Sequence, residues 1–439
     1  MSCTRFAPAT SLRGSLRPPS DKSISHRAAL IAAMGEGWTN VEGYLDAADT
    51  RSTLDAVRAL GAEVHGKKLG EGGGVAGARG LQLRIKGVGL RNPKPAEIDV
   101  GNAGTLLRLL PGWLAGQAGG EWKLDGDESI RRRPVDRIAA PLREMGADLS
   151  AREDRLPPLE VRGTPLHGIT YEMPIASAQV KSCLLFAGLL AEGETRVVEP
   201  APSRDHTERM LEAAGASVSR DGDAVVIAPA EKLAPDDLLV PADISSAAFF
   251  LTAAVLVPGS EIELKSVGVN PTRTGLLAIL EGMGATIERD GETEEGGERV
   301  ATLRVRSAHL QATEVGGAEI PLAIDELPLV ALAACFAEGT TVIRDAEELR
   351  RKESDRIETV TAALRALGGE VEPTADGMVV EGTGGLRGGT IESHSDHRIA
   401  MLGAVAGLAS REGVEVRGMD AAAVSYPGFE RDLCSLQAR

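Results

Sequence analysis

The stretch AALIAAMGEGWTNV, residues 28–41, sets a pattern that the rest of the chain repeats: a run of small apolar residues, a glycine and a short β-prone run. An apolar run without charges predicts a buried helix, and the residues after the glycine predict a strand. The glycine, here Gly37, is predicted to cap the helix, because glycine tolerates the left-handed backbone that ends many helices. The pattern recurs at 106–124, 184–198, 247–264, 329–343 and 401–416.

The spacing of these repeats accounts for the whole chain. Their glycines lie 82, 74, 66, 80 and 74 residues apart in a chain of 439 residues. A second, leucine-rich run that ends in Gly-Ala or Gly-Gly follows in five of the six repeats, at 54–64, 141–149, 210–218, 277–287 and 361–371. We therefore predict six α/β modules of about 70 residues each.

A boundary between two groups of three repeats is predicted near Val240. Residues 231–246 contain turn-forming and helix-breaking residues between the third repeat and the fourth. We expect one lobe over residues 21–240 and a second lobe over 241–439, while the strand predicted in residues 1–20 fits either lobe. The expected fold class is therefore α/β, in two lobes.

The composition excludes several classes of protein. Hydrophobic residues make up 43% of the chain, enough for a sizeable core. The net charge of −16 argues against a general binder of nucleic acid or of anionic membranes, and the 3% of aromatic residues argues against base stacking. The sequence has no uninterrupted apolar run of about 18 residues, so no membrane span is expected.

Motifs for metals and common cofactors are missing from the sequence. The four cysteines lie far apart without a Cys-x-x-Cys pair, which indicates reduced thiols of a cytoplasmic protein. Cys183 lies inside an apolar run, where a catalytic thiol is not expected. There is no His-x-His or His-Glu-x-x-His spacing, no phosphate loop and no dinucleotide fingerprint, so we expect no metal, ATP or NAD.

Polar residues precede each of the six apolar runs. Ser, Thr, Asp or Asn at such a position caps a helix, which contributes about 0.5–2 kcal/mol, and capping alone explains any one of them. Six such segments at equivalent positions of the repeats also predict an anion site, because helix N-termini favour anions by about 0.3–1 kcal/mol each. The six segments are residues 21–27, 101–108, 177–182, 243–249, 324–328 and 395–401.

Charged side chains cluster in or near these segments. Lys352 and Arg356 are spaced to repel each other on one face of a helix, so we expect them to face an anion. Asp325 and Glu353 are acid–base candidates, although helix capping also explains the first and a surface ion pair the second. The other cations are Lys22, Arg27, Arg108, Arg133, Arg204 and Arg398. Together they indicate an enzyme or binder of small anionic substrates, with a positively charged cleft between the lobes.

Eight motifs resemble, in order, those of the 5-enolpyruvylshikimate-3-phosphate synthase family, also called 3-phosphoshikimate 1-carboxyvinyltransferases. They are DKSISHR (21–27), GNAGT (101–105), SAQVKS (177–182), SRDHTE (203–208), NPTRTG (270–275), IDELP (324–328), ELRRKESDR (348–356) and DHRIAM (396–401). The likeness implies the enolpyruvyl transferase fold, an inverse α/β barrel-like arrangement of two lobes, each of three βαβαββ units with buried parallel helices. It also implies that residues 1–20 join the C-terminal lobe.

The resemblance implies a reaction on the shikimate pathway to chorismate and the aromatic amino acids. Phosphoenolpyruvate would give its enolpyruvyl group to the 5-hydroxyl of shikimate 3-phosphate, by addition and elimination through a tetrahedral intermediate, with release of phosphate. No metal, cofactor, nucleic-acid partner or membrane partner is implied, and we expect a cytoplasmic monomer.

The resemblance also carries residue roles onto the matching positions. Asp325 is expected to accept the hydroxyl proton and later one from the methyl group, with Glu353 and Lys22 as candidates for the opposite transfers. Shikimate 3-phosphate would be bound by Lys22, Ser23, Arg27, Ser177, Ala178, Gln179, Arg204, Asp325 and Lys352. Phosphoenolpyruvate would be bound by Lys22, Asn102, Gly104, Arg133, Gln179, Arg356 and Arg398.

Two alternative functions stay open. A sister enolpyruvyl transferase that acts on UDP-N-acetylglucosamine shares the fold, but its first motif has Lys-Asn where this chain has Lys22-Ser23. A non-catalytic anion-binding protein would be expected to have lost some of the charged residues that this chain retains. The response to glyphosate, an inhibitor of the family, also stays open: the motifs look like those of the often tolerant class, whereas Ser20 and Gly104 put tolerance in doubt.

Overall fold

A computed structural model describes residues 3–70 and 79–437 of the chain, whose contacts divide it into two units. Unit 1 holds the described residues of Met1–Pro19, Pro241–Thr293 and Arg299–Arg439, and unit 2 holds those of Ser20–Val240 and Glu294–Glu298. The chain therefore starts in unit 1, builds unit 2 and returns to complete unit 1.

Short strands alternate with helices along the first half of the chain. Strands β1 and β2 belong to unit 1, and the elements after them to unit 2. In chain order they are β1 (Cys3–Phe6), β2 (Arg13–Leu16), α1 (Lys22–Met34), β3 (Trp38–Tyr44), α2 (Ala48–Ala59), β4 (Glu63–Lys68), β5 (Leu81–Lys86), β6 (Ala96–Asp99), α3 (Gly104–Ala115), β7 (Glu121–Asp125), α4 (Asp136–Glu144), β8 (Asp148–Arg152), β9 (Leu156–Arg162), β10 (Leu166–His167), β11 (Thr170–Glu172), α5 (Ala178–Gly188), β12 (Ala191–Glu192), β13 (Thr195–Val198), α6 (His206–Ala213), β14 (Val218–Asp221), β15 (Ala224–Ile227) and β16 (Leu238–Leu239).

The second half of the chain continues the alternation and forms most of unit 1. Its elements are α7 (Ile244–Leu256), β17 (Glu261–Gly268), α8 (Gly275–Gly282), β18 (Ile287–Glu295), β19 (Glu298–Arg306), β20 (Glu314–Val315), α9 (Ile320–Ala323), α10 (Leu327–Ala334), β21 (Thr340–Ile343), α11 (Arg356–Ala366), β22 (Glu370–Pro373), β23 (Met378–Glu381), β24 (Gly389–Glu392), α12 (His397–Ala409), β25 (Val414–Arg417) and α13 (Phe429–Ser435).

Each repeat contributes one small sheet, and in the second, third, fifth and sixth repeats two parallel strands of that sheet are joined through a helix. In the second repeat, for example, β6 pairs in parallel with β7, and β9 pairs antiparallel with both β7 and β8, which is a βαβαββ connection. The strand orders are β16-β3-β5-β4, β6-β7-β9-β8 and β11-β13-β15-β14 in unit 2, and β18-β19-β17-β2, β20-β21-β23-β22 and β1-β25-β24 in unit 1, with β10-β12 as a separate pair.

Both units contain sheets that take a strand from a distant part of the chain. In unit 2, β16 pairs in parallel with β3, although the two lie near opposite ends of the unit's sequence. In unit 1, β2 pairs in parallel with β17, and β1 pairs antiparallel with β25. The N–H of Asp243 donates to the carbonyl oxygen of Pro19 at 2.8 Å, so the chain leaves and re-enters unit 1 at one place.

The six apolar runs form the helices α1, α3, α5, α7, α10 and α12, which are largely buried. A helix without a polar face needs cover on all sides, and each unit supplies it from its own hydrophobic core. Small residues let these helices approach closely: a Cβ on Gly112 in α3 would lie 2.0 Å from the carbonyl oxygen of Cys183 in α5. No helix in the described ranges is long and apolar enough to cross a membrane.

The repeat glycines do not cap the apolar helices, so that prediction is wrong. Helix α1, for example, is capped by Gly35, and Gly37 follows in the turn into β3. All six repeat glycines have a φ between +70° and +99°, because the turn into the strand needs a left-handed residue. The second glycine signal does end a helix: the N–H groups of Gly61 and the next residue bond the carbonyls of Arg58 and Val57, a Schellman motif that recurs after α4, α6, α8 and α11.

Candidate active site

Arg356, the first residue of α11, is buried and meets three carboxylates of unit 1. Its Nε and Nη2 donate to the two oxygens of Asp396 at 2.9 and 3.2 Å, its Nη2 also donates to Glu353 Oε2 at 2.5 Å, and its Nη1 donates to Asp325 Oδ1 at 3.4 Å. Burial opposes the charge of the guanidinium, but the three carboxylates outweigh it and raise the pKa of Arg356 above its usual value. The guanidinium therefore stays charged and holds the three acids around it.

Asp396 connects α11 to α12. Its Oδ1 accepts from the N–H of Arg398 at 2.9 Å and so caps α12, and its Oδ2 accepts from Ser354 Oγ at 2.9 Å. Burial alone would raise the pKa of Asp396, but the charge of Arg356 holds it below its usual value. Asp396 is therefore a buried, ionised carboxylate, and its place in the DHRIAM motif is the sequence signal for it.

Asp325 lies in the turn between α9 and α10, where three cations converge on it. Lys352 Nζ and Arg356 Nη1 are each 3.4 Å from its Oδ1, and Arg398 Nη2 is 3.9 Å from its Oδ2. The side chain of Asp325 is 16% exposed, and the cations favour its ionised form. The N-cap of α10 is Glu326, so the capping role that also explained Asp325 does not apply.

The helical spacing predicted for Lys352 and Arg356 is wrong. A 3₁₀ turn, Glu347–Arg351, ends at Lys352, and α11 begins only at Arg356, with Asp355 as its cap. The two cations therefore reach Asp325 from separate segments and not from one helix face. We expected Lys352 and Arg356 to face an anion, and within unit 1 the anion that they contact is the carboxylate of Asp325.

A second set of contacts joins the starts of α7, α10 and α12. Arg398 Nη1 lies 3.4 Å from Glu326 Oε1, and the same oxygen accepts from Ser245 Oγ at 2.5 Å. Arg273 Nη2 donates to Ser245 Oγ at 2.8 Å and to Oδ1 of Asp243, the N-cap of α7, at 3.2 Å. The only sequence signal for Arg273 was its place in the NPTRTG motif. Its contacts show that this motif links the starts of neighbouring helices.

Lys22 lies in the first turn of α1, in unit 2. Its Nζ is 2.9 Å from Asp49 Oδ2, a partner in α2 that no motif indicated. His26, one turn further on, is buried, and its Nδ1 lies 2.6 Å from Thr53 Oγ1. Burial, with the charges of Lys22 and Arg27, lowers the pKa of His26 to about 3, so its imidazole is neutral near neutral pH.

Arg27 joins three helices of unit 2. Its Nε donates to Thr207 Oγ1 of α6 at 2.7 Å, its Nη2 to Ser182 Oγ of α5 at 3.0 Å, and its Nη1 to the carbonyl oxygen of Ser23 in α1 at 3.0 Å. The structure therefore brings Ser23 and Arg27 together and places them beside α5. A buried guanidinium with three oxygen partners also fixes the positions of the elements that supply them.

The GNAGT loop before α3 gathers Asn102, Gly104, Arg108 and Arg133. Arg133 Nη2 donates to Asn102 Oδ1 at 2.9 Å, and Asn102 Nδ2 donates to Asp127 Oδ2 at 2.6 Å. Arg108 Nη1 donates to the carbonyl oxygen of Gly104 at 3.4 Å. A Cβ on Gly104 would lie 2.8 Å from Arg133 Nη1 and 3.2 Å from Arg108 Nη1, so glycine makes room for both guanidinium groups at the start of α3.

The residues predicted to bind phosphate lie at the starts of α5 and α6. Ser177 caps α5, because its Oγ accepts from the N–H of Val180 at 3.4 Å. Ala178 is the first residue of the helix. Gln179 Nε2 donates to Thr105 Oγ1 at 3.2 Å and so joins the start of α5 to the GNAGT loop. Arg204 lies in the segment just before α6.

Other charged and sulfur-containing residues do not join these groups. Arg131 and Arg132 are exposed and pair with Asp125 and Glu128, which fits the solvated stretch that the sequence also allowed. All four cysteines are free thiols, and burial raises the pKa of Cys183. Among the described residues, no group of three or more His, Cys, Asp or Glu side chains is arranged to hold a metal.

Known proteins resemble this chain over nearly all of its length. The sequence profile of the family described as EPSP synthase (3-phosphoshikimate 1-carboxyvinyltransferase) matches residues 6–433. A protein named 3-phosphoshikimate 1-carboxyvinyltransferase from Geobacter sulfurreducens is 49% identical over 435 residues, 98% of each chain, and one of the same name from Synechococcus sp. (strain RCC307) is 48% identical over 97% of each. A solved EPSP synthase from Acinetobacter baumannii shares 41% identity and a TM-score of 0.85, over 99% of this chain and 98% of that chain.

Proposed function

The chain belongs to the EPSP synthase (3-phosphoshikimate 1-carboxyvinyltransferase) family, and from this premise we propose that it transfers the enolpyruvyl group of phosphoenolpyruvate to shikimate 3-phosphate. The family expected from the eight motifs and the fold class expected from the six repeats are both confirmed. The chain is therefore a transferase of the shikimate pathway, and its second product is inorganic phosphate.

We propose that shikimate 3-phosphate is bound through its phosphate by unit 2. The start of α5 at Ser177–Gln179 offers free backbone N–H groups, which favour phosphate, and Arg204 adds a guanidinium. Lys22, Ser23 and Arg27 belong to the same proposed set. Asp325 and Lys352 of unit 1 are proposed to bind the ring hydroxyls.

Phosphoenolpyruvate is proposed to bind to cations at helix starts. Each guanidinium can donate two parallel N–H bonds to a carboxylate or phosphate, and such charge-assisted bonds contribute about 1.5–3 kcal/mol each. The room that Gly104 leaves beside Arg133 and Arg108 supports this assignment for unit 2. The full proposed set is Lys22, Asn102, Gly104, Arg133, Gln179, Arg356 and Arg398.

Asp325 is the proposed base. It takes the proton of the 5-hydroxyl while that oxygen attacks C2 of phosphoenolpyruvate and an acid protonates C3, which gives the tetrahedral intermediate. Phosphate then leaves with cleavage of its C–O bond, and Asp325, deprotonated again, accepts a proton from the methyl group. The convergence of Lys352, Arg356 and Arg398 on its carboxylate carries this proposal, because these cations favour the ionised form that a base needs. Glu353 and Lys22 are the candidates for the opposite proton transfers.

We further propose that the enzyme is a cytoplasmic monomer without a cofactor. Every proposed contact with the substrates comes from this one chain, and its cysteines are free thiols. Size-exclusion chromatography with light scattering should give the mass of one chain, and the mass of a dimer would contradict the monomer.

Release of phosphate from phosphoenolpyruvate tests the proposed function. The purified protein should release phosphate when shikimate 3-phosphate is added and should not do so with UDP-N-acetylglucosamine in its place. Phosphate release with only the nucleotide sugar would instead indicate the sister transferase. No release with either acceptor would leave a protein that binds anions without catalysis.

A further inference from the structure

Lys181, in the SAQVKS motif, is a buried charge to which the proposed reaction gives no role. It lies in α5 one turn after Ser177, and its side chain is 0% exposed. Its Nζ lies 2.9 Å from Glu199 Oε2 and 2.7 Å from Glu208 Oε1, and it donates to the carbonyl oxygen of Ser203 at 3.3 Å. A buried ammonium is costly unless such partners surround it, so the cluster fixes the segments that supply them.

The segment before α6 is held by the same cluster. Glu199 Oε1 accepts from the N–H of Ser203 at 3.1 Å and also from its hydroxyl, while Lys181 binds its carbonyl oxygen. Ser203 is therefore held through its N–H, its side chain and its carbonyl. Arg204 is the next residue, so the contacts that hold Ser203 also restrain the backbone of Arg204.

Helix α5 and this segment supply the two parts of the proposed phosphate site. Ser177–Gln179 form the start of α5, and Arg204 follows the residue that Lys181 holds. We propose that Lys181 is a positioning residue that sets the place of Arg204 relative to the start of α5, and thereby the affinity for shikimate 3-phosphate. This inference rests on the proposed function, and in it Lys181 does not touch the substrate.

The central measurement is calorimetric binding of shikimate 3-phosphate to the full-length protein. Lys181→Met is expected to raise the dissociation constant at least about tenfold, because losing a well-placed charge-assisted bond to a phosphate weakens binding by about tenfold or more. Glu208→Gln is the matched control, since Glu208 contacts Lys181 and Arg220 but its described contacts do not include Ser203. It should leave the dissociation constant within about twofold.

A charge-balanced variant guards against simple misfolding. Lys181→Met alone removes the nearest cation of two buried carboxylates and leaves them Arg220, at 3.8 Å from each. Lys181→Met with Glu208→Gln instead removes one charge of each sign. The double variant should resist urea better than Lys181→Met and still bind shikimate 3-phosphate as weakly. Lys181→Arg, which keeps the charge, should recover most of the affinity. The KM for phosphoenolpyruvate should stay unchanged in these variants, which a general loss of structure would not allow.

Arg204→Ala separates this inference from the proposed function. If Lys181 acts through Arg204, adding Lys181→Met to Arg204→Ala should weaken binding by no more than about a further twofold. Fully additive effects, or normal affinity in the charge-balanced variant, would overturn the role of Lys181 while the phosphate site stands. Normal affinity in Arg204→Ala would overturn the proposed phosphate site, and the inference with it.

Discussion

Removing the guanidinium of Arg356 is expected to leave a buried, uncompensated carboxylate in unit 1. In Arg356→Met, Asp396 loses its contacts at 2.9 and 3.2 Å, and the Asp396 side chain is 0% exposed. Breaking a buried ion pair by removing one partner costs about 3–5 kcal/mol. Glu353 and Asp325 also lose Arg356, but they are 24% and 16% exposed, so water compensates part of their loss. We therefore expect the free energy of unfolding to fall by about 3–5 kcal/mol.

The loss of unfolding free energy in Arg356→Met should depend on pH, and the titration of Asp396 decides whether it grows or shrinks as the pH falls. In the wild type the folded-state pKa of Asp396 is lowered, so its contribution to stability is present above the unfolded value of about 3.9 and is lost as the pH falls through the lower folded value. Without Arg356, burial raises the folded-state pKa, and protonation then relieves the buried charge as the pH falls. The stability gap between wild type and variant should therefore be larger at pH 8 than at pH 5.

Urea unfolding followed by circular dichroism at several pH values between 8 and 5 measures this gap. Asp396→Asn in the Arg356→Met background is the matched control, because it removes the buried charge and keeps a side chain of similar shape. It should recover part of the lost stability and remove the pH dependence of the gap. A gap below about 1 kcal/mol, or one that is the same at every pH, would refute the reasoning that an unpaired buried carboxylate causes the loss.

Three further substitutions and one titration have definite expected outcomes. Asp325→Asn should lower kcat by about 10²–10⁴-fold, the usual contribution of a positioned acid–base group, and near-normal turnover would exclude it from proton transfer. Arg398→Ala should raise the KM for phosphoenolpyruvate through the loss of charge-assisted bonds, and an unchanged KM would mean that Arg398 does not bind this substrate. Gly112→Ala should lower the midpoint of thermal unfolding, because its Cβ would lie 2.0 Å from a backbone oxygen, whereas Gly282→Ala, with nothing within 4 Å, is the control. NMR titration should find the His26 imidazole neutral from pH 8 to pH 5, since its pKa is about 3, and a midpoint in that range would contradict its burial.

The repeats were predictable because their signals are local. A long apolar run with few charges favours a buried helix, and the glycine that ends each second helix forms a cap with neighbouring residues. The pairing of β16 with β3 was not predictable, because Leu238–Leu239 is too short to show a pattern and its partner is remote in sequence. The repeat glycines were misread because a left-handed residue looks the same in sequence whether it caps a helix or turns the chain after it.

In the candidate site, too, contacts within one helix were predictable and contacts between different elements were not. The N-caps Asp21, Ser177 and Asp396 were expected from their positions, because a cap bonds its own helix. Asp49 and Glu326 were missed as partners of cations, since those cations lie on other elements of the same unit. The 3₁₀ turn before Lys352 was taken for α-helix. Over only five residues, the i+3 spacing of a 3₁₀ turn and the i+4 spacing of an α-helix give the same sequence pattern.

The remote strand pairs set the order in which a newly made chain can complete its sheets. Unit 2 has the strands of all three of its sheets once Leu239 has left the ribosome. Strand β1, made first, has to wait for β25, which begins at Val414. At about 5–20 residues per second this wait lasts about 20–80 seconds, during which β1 has no partner strand to shield its backbone. Synthesis from the N-terminus therefore lets the inserted unit 2 fold early and leaves unit 1, which pairs β1 with β25, to be closed last.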